Sequence, residues 1–421
     1  FANAYVSVEL MKGLKYKLNL TPDFQFYRYN SYEGLFDFGL AKHDITAVTE
    51  QQTRTRNILV ENLLTFDRTF GDHKVSALVG YTYQDSRYRY MQGSGQGMPT
   101  GITEIDAASQ GLAVSGNSSR SVLTSILGRA FYSYKNRYLL TATIRRDGSS
   151  KFGKDNQYGS FYTFSGAWNF NREKFMQPLS DILTEGKLRA SWGVVGNMPD
   201  GYYNHLSLYT AGMYNGFPAN FPNQLGNDEL SWEKNQTFNV GLDLTLYDRV
   251  SLSLDYYNKY TSDLLYFVKL SAITGYGGQW QNIGAVRNKG LEFTIDANLI
   301  SMKDWNWNLS FNLAHNKNKI EELYGGLPQI SGLRRFEEGR DMDDLWMAEW
   351  AGVDPETGAP QWYTTDEEGK RVLTDSYAEA SNHQTYVGSA APKVTGGFNT
   401  SLSWKDLTFT ASFAYSMGAK L

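Results

Sequence analysis

Apolar and polar residues alternate along much of this chain. Phe238, Val240, Leu242, Leu244 and Leu246 fill every second position, with Thr237, Asn239, Gly241, Asp243 and Thr245 between them. Successive side chains of a strand point to opposite sides, so such a ribbon has one apolar and one wet face. The pattern recurs and predicts seven hairpins: 3–10 with 14–26, 54–67 with 73–86, 122–134 with 138–147, 158–170 with 187–196, 236–247 with 250–261, 290–300 with 304–316, and 393–404 with 407–417. Strands of roughly ten tilted residues are long enough to cross a bilayer. Their repetition is the sequence signature of a transmembrane β-barrel.

The connections also alternate. Tight turns are predicted at Met11-Lys12-Gly13, Lys135-Asn136-Arg137, Tyr247-Asp248-Arg249 and Lys405-Asp406, and long segments at 27–53, 87–121, 197–235, 262–289 and 317–392. Outer-membrane barrels place short turns in the periplasm and long loops outside. The 148–157 connection is short for an outer loop and 171–186 long for a turn. Register supports the turns: Leu246 with Val250, and Trp404 with Leu407, both keep the apolar face aligned, and a one-residue slip would reverse it. Tyr134, Tyr138, Trp305, Trp307 and Trp404 gather near the short-turn ends, where amphipathic rings favour the headgroup level.

Composition narrows the reading. The chain has 421 residues, 41% hydrophobic and 15% aromatic, with no cysteine and a net charge of −4. The absence of cysteine removes disulfides, thiolate metal sites and cysteine nucleophiles, and the charge gives no basic stripe for nucleic acid. Mean hydropathy is −0.46. No apolar run approaches the ~18 residues of a membrane helix, as expected when strands show lipid only every second residue. No signal peptide opens the chain at Phe1 and Leu421 follows soon after a strand, so the sequence reads as part of a longer exported protein.

Five stretches resemble one family. Tyr138–Gly153 (YLLTATIRRDGSSKFG), Lys187–Asn197 (KLRASWGVVGN), Leu230–Leu265 (LSWEKNQTFNVGLDLTLYDRVSLSLDYYNKYTSDLL), Asn282–Leu299 (NIGAVRNKGLEFTIDANL) and Ala351–Gly358 (AGVDPETG) are similar, in order and spacing, to SusC/RagA-type TonB-dependent outer-membrane transporters. The resemblance implies an all-β fold, a transmembrane antiparallel β-barrel of about twenty-two strands with a plugged lumen. Residues 1–421 would supply about fourteen of those strands, without the plug and the first and last strands. It further implies import of oligosaccharide or peptide, a SusD-like surface lipoprotein as lid, TonB engaged through a segment outside this chain, surrounding outer-membrane lipid, and pairing of transporter–lipoprotein units. No cofactor is implied. The rival readings are a structural or adhesive barrel and a barrel-embedded hydrolase.

Candidate chemistry follows the two faces and the loops. Leu242, Leu244, Leu252, Leu254, Phe293, Ile295, Leu309 and Phe311 are predicted to face lipid. Asp243, Asp255, Glu292, Asp296, Asn298, Asn306, Asn308 and Asn312, with Arg129, Arg145 and Arg189, are predicted to line the lumen, as a hydrated path, as a grip on a plug, or as a network that keeps the wet lumen soluble and rigid. Tyr214, Phe217, Tyr276, Trp280, Trp346, Trp350, Trp362 and Tyr363 fall in the loops. They are the candidates for contact with substrate or lid lipoprotein, since such rings stack on sugars and anchor interfaces; packing of the loops on themselves is the competing account.

Other motifs carry less. Gly352-Val353-Asp354-Pro355-Glu356-Thr357-Gly358 reads as a turn, with Asp-Pro setting it and Gly taking a positive φ. Asp341, Asp343 and Asp344 approach a calcium loop, but the following ligands and glycine are misplaced. Gly93-Ser94-Gly95-Gln96-Gly97 lacks the strand–helix context of a phosphate loop and is expected to be a flexible outer loop. His43, His73, His205, His315 and His383 form no metalloprotease pair, no nucleophile elbow places a serine, and Glu337 and Glu338 make no glycosidase pair. The chain is therefore expected not to be an enzyme.

Overall fold

In the computed structural model, which describes residues 1–420 (Leu421 lies outside the described residues), fourteen strands form one antiparallel sheet. In chain order they are β1 (Ala4–Met11), β2 (Leu14–Glu33), β3 (Ala47–Phe70), β4 (His73–Gln96), β5 (Gln110–Tyr134), β6 (Tyr138–Ser149), β7 (Tyr158–Asn169), β8 (Leu183–Asn197), β9 (Glu233–Leu246), β10 (Val250–Ser262), β11 (Ala285–Ser301), β12 (Trp305–Glu322), β13 (Val394–Trp404) and β14 (Leu407–Met417). Each pairs with its sequence neighbour, and β1 and β14 each have one neighbour among the described residues. The number and pairing match the expectation from alternation. Among the described residues no helix is long and apolar enough to cross a membrane.

Register keeps the two faces apart across many strands. One row runs Leu188, Leu242, Leu254, Phe293 and Leu313, and the next runs Leu244, Leu252, Ile295, Phe311, Phe398 and Phe413. This continuous apolar face is the lipid surface of the wall. At its short-turn margin Trp305 stacks on Trp404 with centroids 5.7 Å apart, and His73 meets Tyr132 and Tyr134. Trp305, Trp404 and Tyr134 are three of the five rings expected in a girdle at this margin, and His73 and Tyr132 join them there. Leu246↔Val250 and Trp404↔Leu407 close their turns in the predicted register. Tyr247 and Asp248 take left-handed φ values of 53°, the conformation tight hairpins demand.

Several strands run past their predicted ends. β3, β4 and β5 reach 24, 24 and 25 residues, so the predicted 87–121 loop shrinks to 97–109. Gly93–Gln96 lies in β4 rather than in a flexible loop, which corrects that expectation. Beyond the bilayer both faces of a strand meet water, so alternation fades while the hydrogen-bonded ladder continues. The 171–186 connection lies at the short-turn end as two 3₁₀ segments, Phe170–Arg172 and Lys174–Leu179, tied down by Glu173. Its carboxylate accepts from Arg137, the Tyr138 hydroxyl and the Trp168 indole. Facing the opposite way, the long loops carry small sheets of their own.

Candidate functional site

The lumen face carries the charged network expected of it. Arg189 on β8 donates to both oxygens of Asp243 on β9, at 3.0 and 3.1 Å, and to both oxygens of Asp255 on β10, at 2.6 and 2.5 Å. Ser253 donates to Asp243 at 2.9 Å, and Asn239 to Asp255 at 3.3 Å. One planar guanidinium thus ties three adjacent strands together through paired hydrogen bonds. Arg145 makes a second tie, to Asp147 and Ser125. Such a network keeps a wet wall rigid, and it leaves Glu292 and the asparagines at 306, 308 and 312 along the water-facing side.

At the loop end of the lumen the wall turns apolar. Phe152, Leu230, Phe161 and Trp232 form a buried cluster, the first two fully enclosed. Phe152 and Phe161 pack on the Trp232 ring at 4.9 and 5.4 Å, and the indole donates to the Gln157 carbonyl. Gly153 lies against the backbone of Asp228, where a Cβ would collide with the carbonyl oxygen. Close by, the Lys151 ammonium donates to the Pro199 and Asp200 carbonyls at 2.7 and 3.1 Å, and burial holds its pKa below the ordinary lysine value. Reasoning from alternation missed this cluster, because its members sit in connections or at strand ends where no period exists. The signal available was local: two aromatics in short segments rich in glycine and asparagine.

Beside it lies an apolar cavity of about 190 Å³. Val286 and Ile320 form its floor on the lumen side of β11 and β12, while Leu264, Ile283, Phe336 and Met342 form its walls. The rim carries Tyr266, whose hydroxyl donates to Gln329 at 2.5 Å.

The loop aromatics divide. Tyr214 and Phe217 flank the tip of the Leu208–Tyr214/Phe217–Gln224 hairpin and are 72% and 70% exposed; Tyr276 is half-buried. Trp280 instead packs on Phe267 at 5.5 Å and against the Trp232 cluster. Trp346 meets Tyr386 edge-on at 4.8 Å beneath Arg335. Trp350, Trp362 and Tyr377 form an edge-to-face chain, Trp350 being 54% exposed, and Tyr363 lies under Arg371. The eight rings therefore do not converge on one platform: Trp280, Trp346, Trp362 and Tyr363 are half-buried and pack on neighbours within their loops.

The other motifs resolve simply. Asp354 accepts from the Glu356 and Thr357 amides at 2.8 and 3.3 Å, which lowers its pKa, and Gly358 takes φ +73°. The predicted turn is there. Asp343 pairs with Arg334 and Asp344 with Arg340, and among the described residues no three metal-binding side chains come together.

A family profile described as TonB dependent receptor-like, β-barrel, matches residues 4–416. The chain belongs to that family. It is 31% identical to TonB-dependent receptor P3 of Formosa agariphila over 100% of this chain and 44% of that protein. With TonB-dependent receptor SusC of Bacteroides thetaiotaomicron it shares 39% identity over 49% of this chain and 22% of that one. A solved structure of the RagAB peptide transporter superposes with a TM-score of 0.87 at 27% identity, over 98% of this chain and 47% of that one. The chain spans under half the length of the curated relatives it matches. This TonB-dependent receptor barrel of SusC/RagA type is an outer-membrane protein of a Gram-negative bacterium, and its relatives are receptors and transporters rather than enzymes.

Proposed function

We propose that residues 1–421 form part of the wall of a plugged barrel of about twenty-two strands that imports bulky nutrients, oligosaccharide or peptide. Import is driven by TonB acting on a segment outside this chain and is capped by a SusD-like lipoprotein, with two such units pairing. The observation that carries the reading is the two-ended wall: a rigid, charged lumen below, and a loop-end mouth built from aromatics and an apolar cavity above. Capture at the mouth drives transport only if the closed and open states hold the ligand differently. The exposed rings Tyr214, Phe217 and Trp350, with the half-buried Tyr276, are the contacts proposed for ligand or lipoprotein; Trp280, Trp346, Trp362 and Tyr363 act by holding their loops in shape.

Peptide is the cargo favoured by the cavity. Its inner surface is apolar, with Glu322 and Gln329 among the residues around it, so a sugar hydroxyl placed deep there would lose its hydrogen bonds, at roughly 1–3 kcal/mol for each group. Leucine- or phenylalanine-sized side chains fit an apolar recess of this volume. The test is to purify the full-length transporter with its neighbouring lipoprotein and identify the bound ligand by mass spectrometry. Co-purifying peptides, with uptake lost on deletion of the gene pair, are expected. A full-length chain that retains no ligand and supports no uptake would leave a structural barrel as the better account.

A further inference from the structure

The outward face of the wall holds a feature that import does not use. Arg56 on β3, Arg87 on β4 and Arg120 on β5 are direct cross-strand neighbours in one row, and Arg54 and Arg89 are paired in the row two residues further out. All five share the parity of Val60, Tyr81 and Ile126 and so point to the lipid side. Asp85 sits at their centre. It accepts from Arg120 at 3.0 and 3.3 Å, and lies 3.3 Å from Arg87 and 3.6 Å from Arg56. Five arginines against one aspartate leave +4 on this patch. Arg54 and Arg89 have no ion-pair partner among the described residues and are exposed.

Like charges stacked on neighbouring strands oppose pairing, and Asp85 offsets only one of the five, so the patch is costly unless a further anion lies over it. Height decides which anion. Arg87 is 14 residues beyond the girdle residue His73. At about 3.3 Å per residue and a tilt of about 40°, that puts it roughly 35 Å up the wall. The apolar belt is about 25 Å tall and ends near Tyr83 and Val60. The arginines therefore stand about 10 Å above the acyl region, at headgroup depth on the long-loop side. Phe24, opposite Arg56, and Phe26, opposite Arg54, are 49% and 74% exposed and extend apolar surface up beside the charges.

We propose that this patch binds the phosphorylated headgroup of an outer-leaflet glycolipid, whose acyl chains lie on the apolar rows directly below. Asp85 pre-orients Arg56, Arg87 and Arg120, and Arg54 and Arg89 supply the free guanidinium forks that grip phosphate two bonds at a time. Charge and apolar surface in vertical register suit an amphiphile with phosphate above hydrocarbon.

The test uses the full-length transporter in detergent, passed through mixed micelles with bisphosphorylated lipid A or its dephosphorylated form, and counts lipid retained after gel filtration. The phosphorylated lipid should be retained at least tenfold better by the native protein than by an Arg54→Ser/Arg89→Ser/Arg120→Ser variant. Arg68→Ser, on the same outward face but at the short-turn end, should retain it like the native protein. If the triple variant does not fold, Arg89→Glu alone makes the same comparison, since Arg89 holds no ion pair. Equal retention of both lipids overturns the proposal. Complete displacement by millimolar inorganic phosphate overturns it in favour of a free-anion site. Efficient disulfide-linked dimers from Arg89→Cys overturn it in favour of an interface between two copies.

Discussion

Arg189 stands directly opposite Gly241, and its guanidinium fills the space a side chain at Gly241 would take. A Cβ built there collides with Cζ and both terminal nitrogens. The missing side chain lets the arginine lie flat across β9 and reach Asp255 on β10 as well as Asp243. Gly241→Val should therefore eject the guanidinium and leave two carboxylates facing each other. The expected cost is about 1–2 kcal/mol, discounted because these side chains remain partly wet. Urea unfolding from lipid vesicles reads it out, and a midpoint equal to the native protein's would show that the tie is dispensable.

The lipid face offers a second measurement. Leu242 lies mid-strand in the row with Leu188, Leu254 and Phe293. Leu242→Arg is expected to cost about 2–4 kcal/mol and lower folding yield in vesicles. Thr237→Asn, on the lumen face of the same strand and outside the Arg189 network, should leave folding yield nearly native.

Removing the Trp232 ring should empty the centre of the Phe152–Phe161–Leu230 cluster. Trp232→Ala is expected to cost about 3–5 kcal/mol of local stability. Hydrogen exchange should rise in 150–157 and 226–232 while the β9–β10 ladder stays protected. Uniform protection throughout would mean that the cluster does not hold the mouth together.

Alkaline pH should loosen the 323–393 loop. Burial first, then donation to Glu337 at 2.6 Å, pushes the Tyr386 phenol up to about 12 from 10.0. The folded loop holds that proton more tightly than the unfolded loop does. This stabilisation is complete below pH 10 and disappears as pH rises to about 12. Tyr386→Phe removes the step, and near-ultraviolet circular dichroism of Trp346 against pH follows it. An unchanged profile in the variant would assign the transition to another group.

The same loop is expected outside the cell. A protease site inserted in the exposed Asp366–Gly369 turn should be cut in intact cells. Cutting only after the outer membrane is opened would invert the assigned topology.

Alternation alone determined the wall of this TonB-dependent receptor barrel. Leu242 and Asp243 had to face opposite ways, and hairpin turns such as Tyr247–Arg249 followed because a slip would drown a whole apolar row. The pattern works only where one face meets lipid and the other water. Above the bilayer that contrast is gone, so 47–53, 87–96 and 110–121 extend β3, β4 and β5 with no alternation to mark them as strand. Tertiary structure alone decided which distant groups meet. Arg189 reaches two aspartates 54 and 66 positions away, and Trp232 packs on Phe152. Trp280, Trp346 and Trp362 each pack on another ring of their own loop. These are matters of register and of chains folding back on themselves, and no local period records them.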